Sequence, residues 1–144
     1  ISAWTIEHRG PLPDEAADAL HGWAFGCDVC QEVCPWNQKA EPASSDALAP
    51  RPAWTRPDLA RWFEWSERRW AMELRGTALR RSKRQGLLRN AAAILAREGG
   101  DDAVAALLRG LGDADAVVRH ACARGLAGWA DASEVRQALE AARA

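Results

Sequence analysis

Much of what this chain can be is set by what it lacks. No apolar run approaches the roughly 18 residues of a membrane span, and no charged, then apolar, then small-residue leader opens it. A soluble, intracellular, cytoplasmic protein with no membrane partner is therefore expected. Ile1 stands where a start Met would be, so an upstream part is expected to be missing. Histidine is scarce, and His8, His21 and His120 have no paired spacing. Of four cysteines, Cys122 is isolated, so a zinc site begun by the other three finds no downstream half. Those three fall within eight residues, where the close gaps favour metal ligation over disulfides.

What is present begins with that cluster. Phe25-Gly-Cys-Asp-Val-Cys-Gln-Glu-Val-Cys-Pro-Trp-Asn37 contains a C-x2-C-x3-C-P run made by Cys27, Cys30, Cys34 and Pro35. This is the latter part of the bacterial iron–sulfur motif, whose last Cys ligates the other cluster of a two-cluster pair. The position of the earlier Cys is Ala24. Cys27 and Cys30 are thus assigned to one cluster and Cys34 to a second, each to be completed by thiolates from elsewhere. Soft sulfur ligands converging from a loop suit a compact iron–sulfur cube.

The 144 residues carry a net charge of −1, unevenly distributed. Residues 1–50 sum to −6, residues 51–89 to +7 and residues 90–144 to −2. The basic middle is densest at Arg80, Arg81, Lys83, Arg84 and Arg89, with no intervening acid. Such a stripe can meet a phosphate backbone or be an ordinary solvated face.

The chain is expected to be mainly α. Residues 1–10 read as extended, and Asp14 to Gly22 as a short helix opening on two acids after Pro13. The Pro- and Ser-containing stretch 38–53 reads as a linker, which divides the chain into residues 1–50, a partial ferredoxin-like iron–sulfur domain, and residues 51–144, a helical domain. Thr55 is the expected cap of the first long helix, with Leu59, Trp62, Phe63, Trp65, Trp70 and Leu74 as an aromatic packing face. Beyond it, Leu88–Ala93 matches Val118–Ala123 at an offset of 30, and Val104–Leu108 matches Val135–Leu139 at 31. Helix pairs repeated at this period predict a HEAT-like α-solenoid leaning on the Trp-rich segment. Cys122, which matches Ala92, is expected in its core.

Three segments carry a family resemblance. They are Ile1-Ser2 with Thr5-Ile6-Glu7-His8-Arg9-Gly10-Pro11, the Phe25–Asn37 cysteine segment, and Gly76-Thr77-Ala78-Leu79 with Lys83-Arg84-x-Gly86-Leu87-Leu88-Arg89-Asn90-Ala91. Together they resemble the C-terminal part of the epoxyqueuosine reductases through about residue 95, and the helical repeats are similar to the end of the same family. The resemblance implies a cobalamin-dependent tRNA-modifying oxidoreductase with two 4Fe-4S clusters. It further implies that Cys27 and Cys30 join upstream cysteines around the cluster nearer cobalamin, and that Cys34 serves the other. Ser2 and the Cys27-Asp28 pair would lie beside the corrinoid, His8 and Arg9 beside the substrate cleft, and Arg81, Lys83, Arg84 and Arg89 on tRNA phosphates. The partners implied are tRNA, an N-terminal cobalamin domain and an electron donor, with the protein a monomer. Two other classes remain open on the residues alone: a dicluster electron carrier with a helical docking scaffold, and a zinc-stabilised helical binding module.

Overall fold

The computed structural model describes residues 1–41, 51–129 and 131–142, and the expected boundary near residue 50 lies outside them. Among the described residues there are helices and turns and no strand. None of these helices is long and apolar enough to cross a membrane.

The organising element is helix α4, Lys83–Glu98. Its stretch Gly86 to Ala92 is buried on every side, because other elements cover it all round. Helix α6, Ala116–Leu126, lies along one face, and α5, Asp101–Gly110, packs on both. Helix α7, Ser133–Ala141, adds Val135 to the same core. Helices α4 and α6, which contain the matched Ala-rich segments, make the most extensive helix–helix contact among the described residues. Asp115 caps α6 by accepting the Val117 N–H at 2.8 Å. Cys122 is fully buried, and burial, followed by the nearby Asp113, pushes its thiol up to about 12, which suits a packing residue rather than a reactive one. A Cβ on Gly110 would run into Cys122 Sγ and come within 2.9 Å of Phe63 Cε1, so α5 can approach α6 this closely only with glycine there.

The Trp-rich segment departs from its expected form. Thr55 does not cap a long helix; 3-10 turns at Pro52–Trp54 and Ala60–Glu64 come first, and helix α3 is Glu67–Leu74, capped by Ser66 accepting from the Arg69 N–H at 3.2 Å. The aromatic face nevertheless packs as expected, because turns can gather the rings as well as a helix can. Trp54, Trp62, Trp65 and Trp70 form one cluster with ring centroids 4.8–6.5 Å apart, and Trp62 and Trp70 are almost wholly buried. The indole N–H groups of Trp54, Trp62 and Trp70 are buried without an oxygen acceptor. The edge-to-face pairs Trp54–Trp62 and Trp62–Trp70 set ring edges against ring faces, an arrangement in which an aromatic face is a weak acceptor.

The N-terminal segment, residues 1–41, is built of short pieces: helix α1, Asp14–Asp18, and helix α2, Val29–Glu32. Leu12, Ala16 and Leu20 pack on Ile94 of α4. The expected extended form of residues 1–10 is corrected, because Ala3–Glu7 is a π-helical turn closed by the His8 N–H donating to Ala3 O at 2.9 Å. The expected helix to Gly22 stops at Asp18, and Gly22 lies in a turn at φ +87°.

Candidate functional site

The three sequence motifs converge on one buried polar knot. At its centre is Thr5, fully buried, whose hydroxyl donates to Ile1 O at 3.2 Å and accepts the Gly26 N–H at 3.0 Å. Gly26 immediately precedes Cys27, so one hydroxyl ties the first motif to the start of the cysteine segment. From the other side, Ser82 Oγ and Asn90 Nδ2 both donate to Thr5 O, at 2.8 and 2.9 Å. Asn90 Nδ2 also reaches Ala24 O at 2.8 Å. The seat for Ser82 exists because Gly86 has no side chain, since a Cβ there would fall 2.6 Å from Ser82 Oγ.

Arg89 completes the knot. Its Nη1 donates to His8 O and Gly10 O, both at 2.9 Å, and its Nη2 to Trp4 O at 2.8 Å. Nε and Nη2 also donate to Asn90 Oδ1 at 3.1 and 2.9 Å. The whole donor fork is thus spent on carbonyl oxygens, with no carboxylate beside it. Burial, and secondarily the charge of Arg9, lower the Arg89 guanidinium from its usual range to about 10. The expectation that Arg89 meets tRNA phosphates is corrected: at 1% exposure it is an internal strut. In a basic run, a buried arginine and a solvated one look alike; the signal available was its place between Leu88 and Asn90 on an otherwise apolar stretch.

Arg84 is also engaged. Its guanidinium forms a two-pronged pair with Asp113 in the α5–α6 turn, and its Nε lies 2.9 Å from Glu67 Oε1 on α3. The bond to Asp113 holds the Arg84 guanidinium above its usual range. Burial would push the Asp113 carboxyl up, but Arg84 and the Asp115 N–H outweigh it and hold the carboxyl below its usual range. Arg124 pairs with Asp14 and donates to Leu12 O at 2.7 Å, tying α6 to the N-terminal segment.

Of the remaining candidates, His8 is half-buried and Arg9, Arg81 and Lys83 are exposed. Arg81 pairs with Glu7, and Arg9 Nη2 donates to Arg81 O at 2.8 Å. His8 Nε2 is 2.9 Å from Pro11 O, and its ring stacks edge-on against Trp4. Arg80 and Lys83 have no ion-pair partner among the described residues. Lys83 starts α4 at φ +59°, a left-handed conformation that is costly for a residue with a Cβ. His8, Arg9, Arg81 and Lys83 are therefore brought to one region, joined to the cysteine segment through Thr5.

In the cysteine segment, Cys30 is exposed and Cys27 and Cys34 are half-buried, all with free thiols. Asp28 precedes α2, and Val29, Val33 and Trp36 present apolar surface beside the thiols. Thiolates on a short helix and its flanking turns are the right donors in kind for iron–sulfur clusters; three of them are a partial set for two. Among the described residues, no three His, Cys, Asp or Glu side chains converge as a metal site. Ser2, like Asp28, is exposed, and the Thr5–Gly26 bond holds their two segments together.

Comparison with known proteins bears on the same residues. Residues 1–37 match the family described as the 4Fe-4S double cluster binding domain. An epoxyqueuosine reductase of Synechococcus sp. (strain CC9605) is 44% identical over 62% of this chain and 28% of its own length. Those of Shigella dysenteriae serotype 1 and Synechocystis sp. are 35% and 42% identical, over 75% and 66% of this chain and 28% and 34% of theirs. Over these stretches the chain is similar to epoxyqueuosine reductases. It spans about a third or less of the length of these curated relatives. No solved structure matches.

Proposed function

We propose that the chain is part of an epoxyqueuosine reductase, carrying part of an electron-transfer module and a tRNA-gripping helical module. The polar knot carries the reading, because it welds the motif segment, the cysteine segment and the basic start of α4 into one unit. In this reading the N-terminal segment is part of a ferredoxin-like dicluster domain, and α4 to α7 are stacked pairs of the HEAT type. Cys27 and Cys30 hold one 4Fe-4S cluster, and Cys34 holds the other, with further ligands from outside the chain. The clusters and cobalamin, when bound, supply the electrons and the reducing chemistry for the epoxide. Ser2 and Asp28 line the corrinoid side, and His8 and Arg9 orient the modified nucleoside. Arg80, Arg81 and Lys83 meet tRNA phosphates, a role from which Arg89 and largely Arg84 are released by their internal bonds. The reading carries with it a cytoplasmic, monomeric protein served by an electron donor.

The test is a chimaera in which this chain replaces the matching segment of the Synechococcus relative. It should convert epoxyqueuosine in tRNA to queuosine, followed by nucleoside mass analysis. In the same chimaera, Arg80→Ala, Arg81→Ala and Lys83→Ala together should weaken tRNA binding and reduce its salt slope by about 0.7–0.9 for each phosphate left without its cation. A folded chimaera that loads iron and converts nothing argues for the electron-carrier class instead.

A further inference from the structure

One cavity lies away from the basic surface and has the opposite character. About 690 Å³ in volume, it lies between the Trp23–Phe25 turn, the Trp54–Ala60 segment and the junction of α4 with α5. Its walls include the rings of Trp23, Phe25 and Trp54, and its polar groups include the carboxylates of Asp58, Glu98 and Asp102. Among the described residues no Lys, Arg or His lines it. Arg61 stands outside and reaches Asp58 across an exposed pair of 3.5 Å. With that pair counted, three carboxylates and one guanidinium leave a net charge of −2 at the mouth.

The carboxylates differ in how well their helices satisfy them. Asp102 is in the first turn of α5, where a helix favours an acid. Glu98 is the last residue of α4, where the negative end of the helix disfavours one. Neither Glu98 nor Asp102 has an ion-pair partner among the described residues. Glu98 is thus an acid at an unfavourable helix end beside aromatic walls, the environment that a cation stabilises. Aromatic faces backed by carboxylates recognise alkylammonium groups, while the same charges repel a phosphate.

From this geometry we infer a binding site for a small organic dication, a linear aliphatic diamine. Its carbon chain lies along Trp23, Phe25 and Trp54, and its ammonium groups meet Glu98 and Asp102. The net charge of −2 matches two ammonium groups, and a recessed cavity of this size accommodates a free small molecule. This site is independent of the reductase reading, since it uses none of the residues assigned to clusters, corrinoid or tRNA.

The experiment titrates 1,4-diaminobutane into the full chain by calorimetry at fixed ionic strength, with indole N–H resonances followed by NMR. Saturable binding at one site is expected, with shifts confined to a subset of the indoles. Butane-1,4-diol should not bind, and 1-aminobutane should bind about tenfold more weakly. Glu98→Gln with Asp102→Asn, both exposed positions where the fold is retained by circular dichroism, should weaken the diamine by about tenfold or more. Glu98→Gln alone should account for the larger share. Absence of saturation, unchanged affinity in the double variant, or equal affinity for the monoamine would each overturn the proposal.

Discussion

The N-terminal segment and the α4–α7 bundle are held together by different physics. In the bundle, Leu87, Leu88, Ala91, Leu107, Val118, Cys122 and Leu126 interdigitate, and stability comes from apolar area removed from water. In the N-terminal segment, regular structure is short and only Leu12, Ala16 and Leu20 form a comparable patch. There the backbone is held by side chains reaching in from α4 and its cap: Ser82, Arg89 and Asn90 satisfy the carbonyls of Trp4, Thr5, His8, Gly10 and Ala24. A helix satisfies its own carbonyls, whereas an irregular segment must borrow donors. The cysteine segment is consequently only as ordered as a few hydrogen bonds from a helix far away in sequence allow.

The strongest way to break this contrast is Arg89→Ala. It strips donors from three carbonyls at once and leaves a void, so a loss of about 3–5 kcal/mol is expected in urea unfolding. Hydrogen exchange should rise first in residues 1–12 and 24–26 while the α5 and α6 amides stay protected. Uniform loss of protection would show that the two regions are one cooperative unit. Arg89→Lys should recover little, because a lysine cannot reproduce the planar fork.

The converse variant is Gly110→Ala, which overpacks the bundle against Cys122 and Phe63 and should cost about 1–3 kcal/mol. Cys122→Ala in the same chain should return part of that stability, a coupling expected of touching residues and read from a double-mutant cycle. Protection in residues 1–12 should be little changed. Additive effects would separate Gly110 from Cys122.

An effect no larger than that of Gly110→Ala is expected at the joint between the bundle and α3. The Asp113 carboxyl titrates below the ordinary 3.8 in the folded chain, so the unfolded chain takes up its proton first as pH falls. The Arg84–Asp113 pair therefore contributes its full stability above about pH 4 and loses it as pH falls through the folded value. Asp113→Asn should flatten the acid limb of urea stability measured between about pH 6 and pH 2, at a cost near neutrality of about 1–3 kcal/mol. An unchanged acid limb would assign acid sensitivity to other carboxylates.

Legibility followed the same division. The offset-30 repeat announced which helices stack, because packing faces are written as periodic apolar residues, and Trp62 and Trp70 were recognisable as core for the same reason. The C-x2-C-x3-C-P spacing was legible because ligand chemistry is local. The π-helical turn at Ala3–Glu7 was not, since the Thr5 carbonyl that steadies it is met by Ser82 and Asn90, from far along the chain. Nor did Thr55 declare that it starts no helix, because turns around a Trp cluster use the same residues as a capped helix.

The sequence by itself determined the helical class, the aromatic core and the spacing of the thiols, all of which depend on residue type at short spacing. Only the tertiary structure decided what the basic run does. Arg84 and Arg89 turned inward and Arg81 and Lys83 stayed out, because the partners that distinguish them are Asp113 and the carbonyls of Trp4, His8 and Gly10, contacts made across the fold. A charge in sequence carries no record of its neighbours; burial assigns them.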